Sequence, residues 1–237
     1  MKDIEKEIEF HNDRIEAEAG LNRLSYAYKS VDDVLKMPLR AVHDSSSSVM
    51  EVGCFDGQNS LLFDCDYTGV DISDKAIEHA KSLYASETRE FIIWDAHKLK
   101  DLGREYDYIF GNGIVHHCDI PVLAKSLSAA LAKGGRACFL EPMQGPPWLR
   151  LFRKITPWLR TEDEMPLTAE TIHVFDKYFD VEETYAAIFR PTLPMVFGNH
   201  KAVINLSVKM DLLFSNLFPT VFKKWAWLVV LELKSRK

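Results

Sequence analysis

The chain has few cysteines and no long apolar run. Its four cysteines, Cys54, Cys65, Cys118 and Cys138, are scattered without a CxxC pair, which argues against a disulfide framework or a zinc site. No window approaches the roughly 20 apolar residues of a membrane-spanning helix. The charged N-terminus lacks the apolar region of a secretion signal. We therefore expect a cytoplasmic protein without a bound metal.

An excess of basic residues is also missing. The chain carries 29 Lys and Arg against 35 Asp and Glu, which gives a net charge of −6 and a pI near 5.8. This balance disfavours a nucleic acid as partner. A length of 237 residues, of which 47% are hydrophobic, suits one α/β domain with additions.

The glycine loop of the chain is incomplete as a dinucleotide fingerprint. In residues 48–60 a short apolar run turns on Gly53 and Gly57 and enters a predicted helix, so backbone N–H groups gather at the turn. Phe55 occupies the place of the middle glycine, whereas a dinucleotide fingerprint requires GxGxxG. Glu51 would repel a pyrophosphate, but it can accept hydrogen bonds from an ammonium group or anchor the loop. The loop therefore favours a cationic nucleoside without phosphate over NAD.

From residue 49 the pattern alternates between strands and helices. Short apolar strands separated by helices predict a parallel sheet that is covered on both faces. The predicted strands are 49–53, 68–71, 90–94, 106–110, 136–141, 181–189 and 227–233, and the predicted helices are 58–63, 74–85, 121–132 and 167–179. We expect Gly134 and Gly135 to stop the third of these helices, and Thr168 to cap the fourth.

Acidic side chains follow three successive predicted strands. Asp71 ends the second strand and can accept both ribose hydroxyls, while Ile72 offers an apolar face to a purine. Asp95 follows the third strand, just before Ala96, where a carboxylate can accept the adenine amino group. With Glu51 these acids gather at the carboxyl edge of the sheet, where ligands bind in open α/β folds. Each acid alone could be a helix cap or a surface residue, but the set predicts a nucleoside site.

In their order and spacing, five motifs resemble those of class I S-adenosylmethionine-dependent methyltransferases of the small-molecule type. The motifs lie at 51–57, 70–73, 94–96, 106–110 and 131–136. The resemblance implies a Rossmann-like fold with a seven-stranded, mostly parallel sheet in the order 3-2-1-4-5-7-6, an antiparallel last strand and helices on both faces. Residues 1–44 would form an N-terminal helical lid, 45–190 the cofactor-binding core, 191–225 a helical insert, and 226–237 the last strand and tail.

The resemblance also implies S-adenosylmethionine as cofactor. In the family pattern Glu51, Gly53 and Gly57 would line the methionine side, and Asp71 with Ile72 would contact the ribose and purine. Asp95 and Ala96 would contact the adenine, and Asn112 and Gly113 the amino and carboxylate groups. Phe55 departs from the family's glycine-rich loop and would narrow the space over the methionine part. A glycine after the fourth strand would let the backbone approach the ligand.

Methyl transfer mainly requires that a nucleophile be aligned with the electrophilic methyl group. Transfer to oxygen or nitrogen can also need a base, and His116 and His117 follow the fourth strand at the mouth of the predicted site. His117 is the first candidate base and His116 the second, and one of the two is expected to brace the next helix. Glu141 ends the fifth strand at the same edge, where it could accept a substrate proton or bind loop N–H groups.

The sequence favours methyl transfer to a small or lipid-like acceptor, at oxygen, by in-line attack on the sulfonium methyl group. The alternatives are N- or C-methylation of a small metabolite and, in other classes, an NAD-type oxidoreductase or a non-catalytic cofactor-binding regulator. The apolar and basic segments 146–160 and 191–225 could contact a membrane peripherally, or could pack as helices with solvated basic residues. The sequence leaves both a monomer and an oligomer open.

Overall fold

The computed structural model describes residues 8–9, 12, 29–40, 42, 48–156 and 165–237. Much of the predicted lid (1–44) and the end of the predicted segment 146–160 lie outside these residues. Within the described ranges, no helix is long and apolar enough to cross a membrane.

Seven strands form one mixed sheet. They are β1 (Ser48–Val52), β2 (Asp66–Asp71), β3 (Arg89–Ile93), β4 (Tyr106–Asn112), β5 (Leu131–Pro142), β6 (Phe179–Ala186) and β7 (Leu228–Ser235). Their order is β3-β2-β1-β4-β5-β7-β6, which confirms the predicted order. Strands β1 to β5 run parallel, and β7 is antiparallel to both β5 and β6. The carboxyl ends of β1 to β5 therefore share one edge of the sheet.

Helices flank the sheet on both faces. They are α1 (Asp32–Leu35), α2 (Met37–Arg40), α3 (Asp74–Tyr84), α4 (Ile120–Ala130), α5 (Pro147–Ile155), α6 (Ala169–Ile172), α7 (Phe189–Phe197), α8 (Lys201–Leu217) and α9 (Pro219–Trp225), with short 3-10 helices at Gln58–Leu62, Ala96–Leu102, Val115–His117 and His173–Lys177. Side chains alternate between the faces along each strand, so Val49 and Met50 enter two different core clusters. Burial on both faces explains why the strands are apolar throughout.

Two predicted helix ends are wrong. The helix predicted over 121–132 ends at Ala130, because β5 already begins at Leu131 and its pairing with β4 skips residues 132–135. Gly134, with φ of 74°, makes a turn inside the strand instead of capping the helix. The helix predicted over 167–179 is only α6 and the following 3-10 helix, since β6 starts at Phe179. Thr168 does cap α6, as predicted.

The boundaries of the last two strands also differ from the prediction. Strand β6 spans Phe179–Ala186, and not 181–189, because Ala187 takes a left-handed conformation with φ of 68° and α7 begins at Phe189. The helices between β6 and β7 therefore begin two residues before the predicted insert. Strand β7 begins one residue later than predicted and continues to Ser235.

Candidate cofactor and active site

The loop after β1 contains three residues in the left-handed conformation. Gly53, Phe55 and Gly57 have φ values of 73°, 46° and 75°. A Cβ at Gly57 would lie 2.7 Å from side-chain atoms of Ala80 and Phe91, so only glycine fits there. At Phe55 this conformation costs about 1–2 kcal/mol. Phe55 therefore keeps the backbone shape of a middle glycine and adds a half-buried side chain to the loop.

Asp71 fastens this loop to the end of β2. Its Oδ2 accepts a hydrogen bond from the Phe55 N–H at 2.9 Å, and its Oδ1 accepts one from the Ser73 N–H at 2.9 Å. Each oxygen of a carboxylate can accept two hydrogen bonds. The half-buried Asp71 thus keeps acceptor capacity for two further donors, and Ile72 lies half-buried beside it.

Asn12, from the predicted lid, contacts the same edge of the sheet. Its Oδ1 accepts a hydrogen bond from Ser73 Oγ at 2.5 Å, and its Nδ2 donates to Asp74 Oδ1 at 3.0 Å. These partners lie one to three residues beyond Asp71 and Ile72. No sequence pattern predicts this contact, because Asn12 and Ser73 are 61 residues apart.

Glu51 is held inside the protein. It is 2% exposed, Tyr67 donates its hydroxyl hydrogen to Oε2, and Asn59 Nδ2 donates to Oε1 at 2.7 Å. Burial raises the pKa of Glu51 to about 8, although these two hydrogen bonds oppose the increase. The carboxyl is then mostly protonated at neutral pH, so its expected repulsion of a pyrophosphate is weak. The contacts favour the loop-anchoring role for Glu51.

Asp95 is oriented by a histidine that the sequence interpretation missed. Asp95 Oδ1 accepts hydrogen bonds from the His97 N–H at 2.9 Å and from His97 Nδ1 at 2.7 Å. His97 Nε2 in turn accepts the N–H of Asp119 at 2.9 Å. Neutral His97 therefore carries its proton on Nδ1, facing Asp95. The neighbouring Ala96 is 7% exposed and belongs to the core.

The turn after β4 contains the two residues expected near the methionine end. Asn112 is exposed at the end of the strand, and Gly113 is left-handed with φ of 67°. The Gly113 N–H donates to the Leu140 carbonyl at 2.8 Å, which ties the turn to β5. A Cβ at Gly111 would lie 2.6 Å from the Val52 carbonyl oxygen, so close packing against β1 requires glycine at this position.

Glu141 anchors the segment that carries the two histidines. Its side chain is fully buried, and Oε1 accepts hydrogen bonds from the N–H groups of Ile114 at 2.9 Å and Val115 at 2.8 Å. Its Oε2 accepts the His116 N–H at 3.3 Å and contacts His116 Nδ1 at 2.7 Å. Four donors fill the acceptor positions of a carboxylate. Of its two predicted roles, the contacts favour the binding of loop N–H groups.

The two histidines lie in different environments. His116 is 5% exposed and bonded to Glu141, which suits the bracing role. His117 is half-buried, and its ring centroid lies 4.0 Å from that of His116. His117 is therefore the more accessible of the two candidate bases.

Three solved structures with the same fold are named as methyltransferases. The chain is similar to geranyl diphosphate C-methyltransferase from Streptomyces coelicolor A3(2), with a TM-score of 0.60 and 11% identity over 86% of this chain and 76% of that chain. It is similar to the N-methyltransferase NodS from Bradyrhizobium japonicum WM9, with a TM-score of 0.57 and 12% identity over 92% and 91% of the two chains. For magnesium protoporphyrin IX methyltransferase from Synechocystis PCC 6803 the TM-score is 0.55, with 15% identity over 87% and 82%.

All three of these structures contain S-adenosylhomocysteine. At such low identities they show a shared fold. No curated protein sequence matches the chain. The family model described as "Methyltransferase domain" matches residues 23–179, which is more than half of the chain. The resemblance to class I S-adenosylmethionine-dependent methyltransferases is thus confirmed, and the chain belongs to the methyltransferase-domain family.

Proposed function

We propose that the protein transfers a methyl group from S-adenosylmethionine to a hydroxyl group of a small or lipid-like acceptor. The observation that carries this proposal is the bonding of Asp71 to the loop of Gly53, Phe55 and Gly57 at the carboxyl edge of the sheet. This single carboxylate joins the two parts of the site that would hold the methionine and the ribose. Asp95 follows the neighbouring strand β3 at the same edge.

The described residues fit an adenosyl cofactor. Asp71 has acceptor capacity left for both ribose hydroxyls, and Ile72 offers an apolar contact beside it. Asp95, oriented by His97, would accept from the adenine amino group, next to Ala96. The backbone of Gly53, Phe55 and Gly57, supported by Glu51, would lie along the methionine part, with Asn112 and Gly113 near its amino and carboxylate groups.

The reaction then needs alignment and the removal of one proton. When bound, S-adenosylmethionine supplies an electrophilic methyl group on a sulfonium centre, whose sulfur keeps the electron pair as the methyl group leaves. The acceptor oxygen attacks in line with that bond, and its proton passes to the imidazole of His117. Glu141 positions His117 indirectly, because it holds the N-terminus of the short helix Val115–His117.

A lipid-like acceptor is supported by the exposed apolar and basic side chains of α5 and α8, which would place the protein at a membrane surface.

The contacts of the site constrain the atom that is methylated less than they constrain the methyl donor. The names of two similar structures specify N- and C-methyl transfer, so N- or C-methylation of a small metabolite is the alternative. Product analysis after incubation with cell extract and isotope-labelled S-adenosylmethionine distinguishes an ether or ester from a methylated nitrogen or carbon.

Calorimetric titration with S-adenosylhomocysteine and with NAD tests the donor. We expect saturable binding of S-adenosylhomocysteine and no binding of NAD. The opposite pattern would contradict the proposal and favour an oxidoreductase. Binding of S-adenosylhomocysteine without methylation of any acceptor in extracts would favour a non-catalytic cofactor-binding regulator.

A further inference from the structure

We propose that α5 and α8 form a docking surface for a membrane that contains anionic lipid. We call this surface the outer face and define it by the exposed apolar and basic side chains of the two helices. The inference does not depend on the proposed reaction, because membrane binding requires neither donor nor acceptor.

Helix α8 buries two polar residues and exposes four leucines. All 17 of its residues are described, and the buried ones are Ser207 and Asp211. Four leucines of the same helix are more than half exposed: Leu206 at 54%, Leu212 at 56%, Leu213 at 60% and Leu217 at 62%. A helix at the surface of a globular protein normally shows the reverse pattern. Apolar side chains in this arrangement suit the boundary between lipid headgroups and acyl chains.

Hydrogen bonds fix this orientation. Asp211, 3% exposed, accepts the backbone N–H groups of Ile188 at 2.9 Å, Phe189 at 2.8 Å and Arg190 at 3.3 Å. The Arg190 guanidinium donates to both carboxylate oxygens of Asp33 at 2.9 Å. Turning the leucines inward would remove Asp211 from these donors and leave buried N–H groups unpaired, which is costly. The outward leucines are therefore a stable feature of the fold.

Helix α5 extends the same surface. None of its nine residues, all within the described range 48–156, is buried. Trp148, Leu151 and Ile155 are 42%, 60% and 60% exposed at helical spacing, on one side of the helix. The indole N–H of Trp148 donates to Thr192 Oγ1 at 3.2 Å. The Trp148 ring packs edge-on against the Trp225 ring, with 5.8 Å between the two ring centroids. These contacts join α5 to α7 and α9, and so to the insert that contains α8.

The charges of the outer face select an anionic partner. Helix α5 contains Arg150, Arg153 and Lys154 and no acid, while helix α8 contains Lys201 and Lys209 and one acid, the buried Asp211. The whole chain has a net charge of −6, so basic residues are concentrated here. Basic residues flanking an apolar helix face attract anionic headgroups. A second copy of the chain would instead bring two surfaces of like charge together.

Flotation with lipid vesicles tests the proposal. We expect the full-length protein to bind phosphatidylcholine vesicles with about 30% phosphatidylglycerol and to bind pure phosphatidylcholine much less, with binding that weakens as salt rises. Leu213→Glu should lower the partition coefficient about tenfold or more, since it removes an inserted apolar group and adds a negative charge. Lys209→Glu should lower it at least about fivefold.

Matched controls come from two helices that are not part of the outer face. Leu83 on α3 is 56% exposed, and Lys125 on α4 is exposed, so Leu83→Glu and Lys125→Glu should leave vesicle binding unchanged. Three results would overturn the proposal. The first is no binding to anionic vesicles, and the second is equal binding to neutral and anionic vesicles. The third is a wild-type protein that does not bind vesicles but self-associates in sedimentation experiments, with this self-association abolished by Leu213→Glu. Loss of methyl transfer with vesicle binding intact would contradict only the proposed reaction.

Discussion

Two buried carboxylates perform the same task in different halves of the molecule. Glu141, at the end of β5, accepts the backbone N–H groups of residues 114–116. Asp211, on α8, accepts those of residues 188–190. In each case three consecutive N–H groups at the start of a helix converge on one carboxylate, where a helix N-terminus favours an anion.

The surroundings of the two carboxylates differ. Glu141 lies at the end of a central strand of the sheet, and its fourth contact is with the His116 ring. Asp211 lies on a helix of the insert, where Arg190 Nε is 3.5 Å from its Oδ2. Burial raises the pKa of Asp211, and the three backbone N–H groups and Arg190 oppose the increase. Near the sheet, Glu141 holds the segment that carries His116 and His117 against an apolar core. In the insert, Asp211 holds a helix that exposes four leucines.

The largest effect is expected from Glu141→Ala. The substitution leaves four donors without their acceptor in a fully buried position, so the free energy of unfolding should fall by about 3–5 kcal/mol. Urea denaturation measures the loss, and Glu78→Ala on the exposed side of α3 is the matched control. A loss below about 1 kcal/mol would show that Glu141 is not the anchor that the comparison requires.

His117→Ala tests what the segment held by Glu141 contributes to chemistry. Removal of a general base should lower the turnover number about hundredfold, with the affinity for S-adenosylhomocysteine unchanged. His116→Ala should instead lower the free energy of unfolding, because His116 contacts the buried Glu141. Unchanged turnover in His117→Ala would mean that alignment alone drives the reaction or that another group is the base.

Asp71→Ala tests a carboxylate that combines anchoring with ligand binding. It should weaken the binding of S-adenosylhomocysteine by about 1.5–3 kcal/mol, since hydrogen bonds to a charged group are lost. Calorimetry measures the dissociation constant, and Asp66→Ala, at the exposed start of the same strand, is the control. An unchanged constant would exclude Asp71 as the ribose ligand.

Asp211→Ala sharpens the contrast between the two halves. We expect a loss of about 1–3 kcal/mol in the free energy of unfolding, smaller than for Glu141→Ala, because the insert lies nearer to water. Vesicle binding should also fall, since α8 would no longer be fixed with its leucines outward. A loss equal to that of Glu141→Ala, with vesicle binding unchanged, would contradict the comparison.

The smallest effect is expected from Glu51→Gln, and it depends on pH. The pKa of Glu51 rises from 4.5 to about 8 on folding, so the folded state keeps a proton that the unfolded chain loses between these values. The free energy of unfolding of the wild type should therefore fall, relative to the variant, as pH rises from about 5 to 8. We expect a relative change of about 1 kcal/mol or more in urea denaturation at the two ends of this range. If the free energies of unfolding of the wild type and Glu51→Gln change in parallel with pH, Glu51 is already ionised in the folded protein.

The parallel sheet and the positions of the acids at its strand ends were predictable from the sequence pattern, whereas the strand order followed from the resemblance to class I methyltransferases. Alternating strands and helices require a parallel sheet, and a parallel sheet places Asp71 and Asp95 at one edge. The partners of these acids were not predictable. Tyr67 reaches Glu51 because β1 and β2 are in a particular register, and His97 reaches Asp95 through a local turn. Register and turn geometry depend on the packed structure.

The orientation of helix α8 in the insert also could not be predicted from the sequence. Apolar residues such as Leu206, Leu213 and Leu217 occur at helical spacing, which predicts a helix with an apolar face. The same spacing does not show whether that face is turned toward the core or away from it. Here Asp211 determines the answer, because its three backbone partners lie in the chain just before α7 and at its start.

The position of β7 has a consequence for the order in which the fold forms. Strand β7 lies between β5 and β6 although it follows both along the chain. During synthesis β6 therefore has no place in the sheet until more than forty later residues have been added, as the bounds of β6 and β7 show. Unpaired strand edges favour wrong pairing between chains. Strand β6 contains three acids, Asp180, Glu182 and Glu183. Their negative charges oppose such pairing before β7 has been made.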